Sequence, residues 1–241
     1  MLFGLFWGDW TVLLLVPTMI FAFWAQINVQ STFKKYSAVR NTRGLTGADV
    51  ARRILNENGL YHIQVEHIHG HLNDHYDPKA GVIRLSDAVY TSMSAAAIGV
   101  AAHEAGHACQ HATNYLPIKI RAAIIPATNI GSRLAIPLIL IGLAIDLLMQ
   151  SSVGVIIAYV GVICFSLTAV FQLVTLPTEF NASARAMKAL DDCGILTRDE
   201  LHGARKVLSA AAMTYVAALA VSLANLLRIL ILVAGSSRRR H

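Results

Sequence analysis

The residues best suited to chemistry in this chain are His103, Glu104 and His107, in the stretch Val100-Ala-Ala-His-Glu-Ala-Gly-His-Ala-Cys109. Histidines four apart on a helix share one face about 6 Å apart, so two imidazoles can grip one zinc ion. Glu104 is then placed beside the ion rather than on it. It can take a proton from a zinc-bound water and later pass it to a leaving amine. The competing reading is a helix with two solvent-facing histidines and a surface glutamate. The small, uncharged flanks count against it, because His and Glu are costly on such an apolar helix unless they serve a purpose.

A catalytic zinc ion needs a third protein ligand and an open position for water. His111 lies eight residues beyond His103, and a helix rises about 12 Å over that distance while zinc–nitrogen bonds are about 2 Å. One ion therefore cannot bind His103, His107 and His111 from an unbroken helix. The extended pattern with Gly and a third His also fails, because position 110 is Gln and position 113 is Thr. His111 reads as a surface or supporting residue. Glu179, in Leu176-Pro-Thr-Glu-Phe-Asn-Ala-Ser-Ala-Arg185, is the better candidate. Two apolar runs separate it from His107, so the chain returns to the same side of a membrane. An ordinary N-terminal Glu favoured by the helix dipole remains the alternative.

The elements that must position these residues follow from composition. The chain has 241 residues, 55% hydrophobic and 14% charged, against about 45–50% and about 25% in soluble domains. The apolar residues fall into long runs, which makes this a membrane protein. Trp10 to Ile27 forms a first span, with Trp7, Trp10 and Trp24 near its ends and Lys34, Lys35, Arg40 and Arg43 following it. Ala123 to Met149 forms a second, with kinks expected at Pro126 and Pro137 and a snorkelling or paired Arg133. Val153 to Leu176 is a third, separated by Gln150-Ser-Ser152 alone, so the two make a helical hairpin. Pro177 is expected to end that hairpin, with Thr178 capping a new helix from Glu179. Val207 to Val233 is a fourth run, ahead of Arg238, Arg239 and Arg240. Asn225 and Arg228 within it should face the bundle or a wet cavity.

The polar segment between the first two spans reads as mixed α and β. Thr46 and Asp49 form a capping box for a helix over Ala48 to Asn58, closed by Gly59. Tyr61 to His69 and Val82 to Leu85 read as strands, and Ser94 caps the motif helix, expected to run to about Tyr115. Val82 to Leu85 could be an edge that pairs with a substrate backbone, or a plain core strand. His62, His67, His69, His71 and His75 form a histidine tract that could hold a second metal or line one solvated strand face.

The layout divides into a first span (1–29), a zinc domain with the motif helix (30–121), a membrane hairpin (122–176), a helix bearing Glu179 (177–206) and a last span with a basic tail (207–241). Ten Lys and Arg residues lie in 30–121 and none in the hairpin turn, which places 30–121 and 177–206 in the cytoplasm. The basic tail would then lie outside, against the same rule. The basic residues cluster beside apolar runs, so they speak for membrane orientation and not for nucleic acid. Cys109, Cys164 and Cys193 form no CxxC pair, which excludes a thiolate zinc ribbon.

Four stretches together carry a more specific likeness: Leu72-Asn-Asp-His-Tyr-Asp-Pro78, Val82-Ile-Arg-Leu-Ser86, Val100 to His107 and Pro177-Thr-Glu-Phe-Asn-Ala-Ser183. With the hydrophobic layout, the chain resembles the YugP-type membrane zinc metallopeptidases, also called neutral zinc metallopeptidases, over nearly its whole length. The resemblance implies a gluzincin-like site, with His103, His107 and Glu179 as ligands of one zinc ion and Glu104 as the catalytic residue. The pattern is more distantly similar to the HtpX class of membrane peptidases. There the glutamate ligand is followed three residues on by Ala-Asp, whose Asp supports a ligand His; here that position is Ser183. An oxyanion donor is also needed, and Arg185, His75, Tyr76 and His202 are candidates.

The expected protein is thus α-helical and membrane-embedded, with about four transmembrane helices and a small α+β zincin-like domain. The expected activity is zinc-dependent endopeptidase, acting on peptides or membrane-protein substrates in the bilayer of the plasma membrane. A non-catalytic zinc protein and a metal transporter or sensor are the rival readings. The cleanest span carries no charged residue, which speaks against transport.

Overall fold

An alanine-rich helix can be buried on nearly every side, because small side chains let neighbouring backbones approach closely. The motif helix uses this. In the computed structural model, which describes residues 10–238, it spans Ala95–Ala112 and buries thirteen of its residues, most of them Ala or Gly. Ser94 caps it, its side chain accepting the Ala97 N–H, which satisfies one of the orphan donors of the first turn. The helix stops at Thr113 and not near Tyr115: the Thr113 hydroxyl bonds the Cys109 carbonyl and Asn114 has a positive φ of 54°.

In chain order, a short 3-10 turn over Trp10–Leu14 leads into α1 (Leu15–Ser37), followed by α2 (Gly47–Glu57), β1 (Gln64–Ile68), β2 (His75–Asp77), β3 (Val82–Ser86) and the motif helix α3. Three long helices follow: α4 (Leu116–Met149), α5 (Ser152–Asp192) and α6 (Arg198–Arg238). Trp7, Arg239 and Arg240 lie outside the described residues. The chain forms two units, one of Met1–Trp24, Ile120–Thr175 and Tyr215–His241, the other of Ala25–Lys119 and Leu176–Thr214.

The first unit is the lipid-facing one. Among the described residues, four helices are long and apolar enough to cross a membrane. Large apolar side chains such as Phe23 (70% exposed) and Leu148 (81%) lie open on them, which is sensible only where lipid covers them. The α4–α5 hairpin closes through small residues: a Cβ on Gly142 would lie 2.4 Å from the Ala158 nitrogen, and one on Gly161 2.8 Å from the Ile139 nitrogen. Such close backbone contact is the usual basis of helix pairing in lipid. Asp146 is buried there, and Asn225 and Arg228 are half-buried on α6.

The second unit holds the zinc-domain residues around a core that includes Ile54, Leu55, Ile83, Leu85, Ile98, Leu190 and Ile195. The capping box at α2 is present, with Thr46 and Asp49 exchanging bonds. The strand order is β1-β3-β2. β1 runs parallel to β3 from Gln64↔Val82 to Ile68↔Ser86, and β2 pairs with β3 antiparallel. Of the two readings of Val82 to Leu85, the core strand holds. β3 is the central strand, because β2, a three-residue strand without its own hydrophobic signal, folds back on it through the Asp77–Gly81 turn. Both edges of β3 are paired, and the strand is buried along nearly its whole length.

One expectation is corrected: Pro177 does not end a helix. α5 runs unbroken from the third apolar run into the Glu179 segment, with Pro177 inside it, so Thr178 is a buried mid-helix residue and not a cap. Pro177 removes only the bond its N–H would make to the carbonyl of residue 173, and long helices in or near lipid tolerate such a gap where neighbours pack on both sides. Pro126 and Pro137 likewise lie inside a continuous α4.

The contact that matters most for the site joins α3 to the later part of α5. A Cβ placed on Gly106 would lie 2.6 Å from the Ala182 carbonyl oxygen, so only glycine allows the two backbones this close. Gly106→Ala is therefore expected to push α3 from α5 and cost about 1–3 kcal/mol. A lower thermal midpoint in detergent together with reduced zinc content is the expected reading; an unchanged midpoint would contradict the tight contact.

Candidate metal centre and active site

α3 presents His103 and His107 one turn apart, with their rings at right angles and 4.7 Å between centroids. α5 brings Glu179 against both. Its Oε2 lies 3.2 Å from His103 Nε2 and 3.5 Å from His107 Nε2. Bonds of about 2.0–2.1 Å around a tetrahedral ion separate neighbouring ligand atoms by roughly 3.3 Å, and the two carboxylate–imidazole separations match that spacing. All three ligand atoms fall within 4.8 Å of one another. The group is largely enclosed, with the Glu179 side chain only 4% exposed.

The other ring nitrogens are held as well. His103 Nδ1 is 3.1 Å from Ser183 Oγ, and His107 Nδ1 is 3.0 Å from Gln110 Oε1. The Gln110 oxygen can only accept, so it favours the His107 tautomer protonated at Nδ1, whose Nε2 lone pair is free for a metal. Burial disfavours a charged His107, but the Glu179 hydrogen bond and the Glu104 and Glu179 charges outweigh it and raise its pKa.

Gln110 is the residue that ties the two helices together. It is fully buried, and its Nε2 donates to the Thr178 carbonyl at 2.7 Å and to Asn181 Oδ1 at 3.0 Å. Asn181 Oδ1 in turn accepts from Arg185 Nε at 2.9 Å. One amide therefore orients a histidine on α3 while bonding the α5 turn that carries Glu179.

Glu104 is buried, at 8% exposure, and belongs to neither ion pair of the triad. Asp74, arriving from the loop before β2, lies near enough for their charges to repel. Burial first, and that repulsion with it, push the Asp74 carboxyl above its usual range, against the pull of two bonds from Ser86. Those bonds run from the Ser86 nitrogen at 2.7 Å and its Oγ at 3.0 Å.

The structure therefore brings together His103, His107, Glu179 and Ser183, with Glu104 alongside. It distributes the oxyanion candidates differently. The Arg185 guanidinium lies over the Tyr115 ring and bonds Asn181. His75 is bound to the Asn73 carbonyl and lies 3.4 Å from Arg84. Tyr76 packs edge-on to His111, centroids 5.5 Å apart, and His202 is exposed on α6. Gln110, Asn181 and Asp74 had no assigned role in the sequence. The available signal for Gln110 was its place three residues after His107, on the same helical face; Asp74 had none, because its approach to Glu104 is entirely tertiary.

The model of a family described as "Putative neutral zinc metallopeptidase" matches residues 11–234. The chain belongs to this family. It is also 47% identical over 217 residues to "Putative membrane protease YugP" of Bacillus subtilis (strain 168), covering 90% of this chain and 93% of that protein. No solved structure matches the chain. Family membership and the apolar helices together make this a membrane protein of the neutral zinc metallopeptidase family.

Gln110→Ala is expected to weaken zinc binding by roughly 10–100-fold, read by competition with a chromophoric chelator. Gln110→Glu keeps an oxygen for His107 but sets an acceptor against the Thr178 carbonyl. It should lower stability by about 1–3 kcal/mol while affinity falls less than in the alanine variant. Wild-type affinity in both would remove Gln110 from this role.

Proposed function

We propose that this protein is a membrane-embedded, zinc-dependent endopeptidase with one catalytic zinc ion held by His103, His107 and Glu179, and with Glu104 as general base. The observation that carries the reading is the convergence of two Nε2 atoms and one carboxylate oxygen at zinc spacing, with a buried glutamate next to the first ligand.

Zinc bound there supplies Lewis acidity and lowers the pKa of water towards neutrality. The remaining work falls to the chain. Glu104 takes the proton of the attacking water and returns it to the leaving amine nitrogen, so no covalent intermediate forms. Ser183 and Gln110 keep the two imidazoles in register, and Asp74 sets the charge around Glu104. β2, an outer strand lying beside α3, offers its open edge to an extended substrate backbone, with side-chain pockets left to select sequence.

The substrates are peptides or membrane proteins with exposed segments, because helices that cross the bilayer lead directly into the helices that carry the site. The ten basic residues of 30–121 favour the cytoplasmic side of the plasma membrane for this chemistry.

The test is cleavage of an unfolded protein by detergent-purified wild type and Glu104→Gln, assayed together with added zinc. Glu104→Gln should keep its zinc and lose at least about 10²-fold in rate, whereas His103→Ala and Glu179→Ala should lose the zinc itself. Equal cleavage by wild type and Glu104→Gln would sink the assignment of Glu104. Near-stoichiometric zinc in Glu179→Ala would remove Glu179 as a ligand.

A further inference from the structure

Away from the buried triad, the parallel pairing of β1 with β3 has a second consequence. Ile68 lies opposite Ser86, so the residues that follow these two strand ends, His69 and Asp87, leave the sheet side by side. His67 is two residues before His69 and therefore points to the same side of β1. We propose that His67, His69 and Asp87 form a second metal site, selective for a borderline divalent ion of the zinc class, on the outer edge of the sheet.

The donor atoms are His67 Nε2, His69 Nδ1 and an Asp87 oxygen, all within 4.8 Å of one another. Asp87 Oδ1 is 2.6 Å from His67 Nε2 and 3.6 Å from His69 Nδ1. Ligands of one ion prefer a separation of roughly 3.3 Å, so the first pair opens by a fraction of an ångström and the second closes. The side chains of His67, His69 and Asp87 are 37%, 96% and 54% exposed, so His69, which is almost fully open, is free to make most of the adjustment.

The site is also supported from behind. Asp87 Oδ2 accepts the Gly70 N–H at 2.9 Å, which leaves Oδ1 facing the imidazoles. The His67 ring leans on Tyr90, 5.2 Å between centroids, and Tyr90 accepts a bond from Arg52 at 3.2 Å. Two imidazoles with one carboxylate suit zinc and its neighbours, not calcium or magnesium, which take all-oxygen shells. Three protein ligands on an open surface leave the other positions to water. An ion here joins the end of β1 to the end of β3, at the start of the loop that carries Asp74.

This site is independent of the catalytic reading, and the experiment keeps the two apart. Tag-free wild type, His69→Ala, Asp87→Asn and His62→Ala are equilibrated in detergent against buffer holding free Zn2+ at a fixed micromolar level, and bound zinc is counted by mass spectrometry. Asp87→Asn keeps an oxygen for the Gly70 N–H, so the loop retains its tie. His69→Ala and Asp87→Asn are expected to carry one zinc fewer than wild type, and His62→Ala the same number as wild type. Should the buried triad hold no zinc, all four counts fall by one and the differences persist. Equal zinc in wild type, His69→Ala and Asp87→Asn overturns the proposal, as does an equal loss in His62→Ala.

Discussion

Two histidines on one helix can meet a metal, but they cannot complete its shell, and the unit that carries them depends on how a distant carboxylate is brought against the pair. Glu179 lies 72 residues beyond His107 in the chain and reaches it because α3 and α5 approach almost backbone to backbone at Gly106 and Ala182. A larger residue at 106 would separate the helices, and a displacement of even an ångström takes a carboxylate out of a bond length of about 2 Å. The run of alanines along α3 serves the same end, keeping the helix thin enough to be enclosed.

Close approach brings polar atoms into a space without water, and each must then find a partner. Gln110 answers for several at once. Its amide oxygen accepts a hydrogen bond from His107 Nδ1 and its nitrogen donates to α5, so the contact that orients the imidazole also holds the helices in register. Ser183 Oγ lies against His103 Nδ1 in the corresponding way.

The membrane imposes a different constraint. Lipid offers no driving force for burying apolar side chains against each other, so the hairpin of α4 and α5 relies on glycines and alanines that let the backbones close, with larger side chains filling in around them. The same helix α5 then leaves the apolar run and carries Glu179 without a break at Pro177. A continuous helix is stiffer than two helices joined at a cap, and the Glu179 carboxylate is carried on it rather than on a flexible join.

Local spacing was sufficient for a good part of this. The histidine pair with its adjacent glutamate, the Ser94 and Thr46 caps, and the apolar runs are all properties of neighbouring residues, and helix geometry converts them directly into structure. The extent of strands was less legible: β2 is three residues without a hydrophobic pattern, and without it the sequence could not decide whether β3 was an edge or a core strand. Pro177 read as a stop because propensity is a local rule, while the packing that overrides it is not. Gln110 looked like a broken motif position until α5 arrived beside it, and Asp74 acquired its neighbour Glu104 only through the folding of a loop. Residue types and short spacings determine which groups could act, because a helix turn is the same everywhere. Which groups actually meet was decided by the tertiary structure, because that depends on how closely distant backbones can pack.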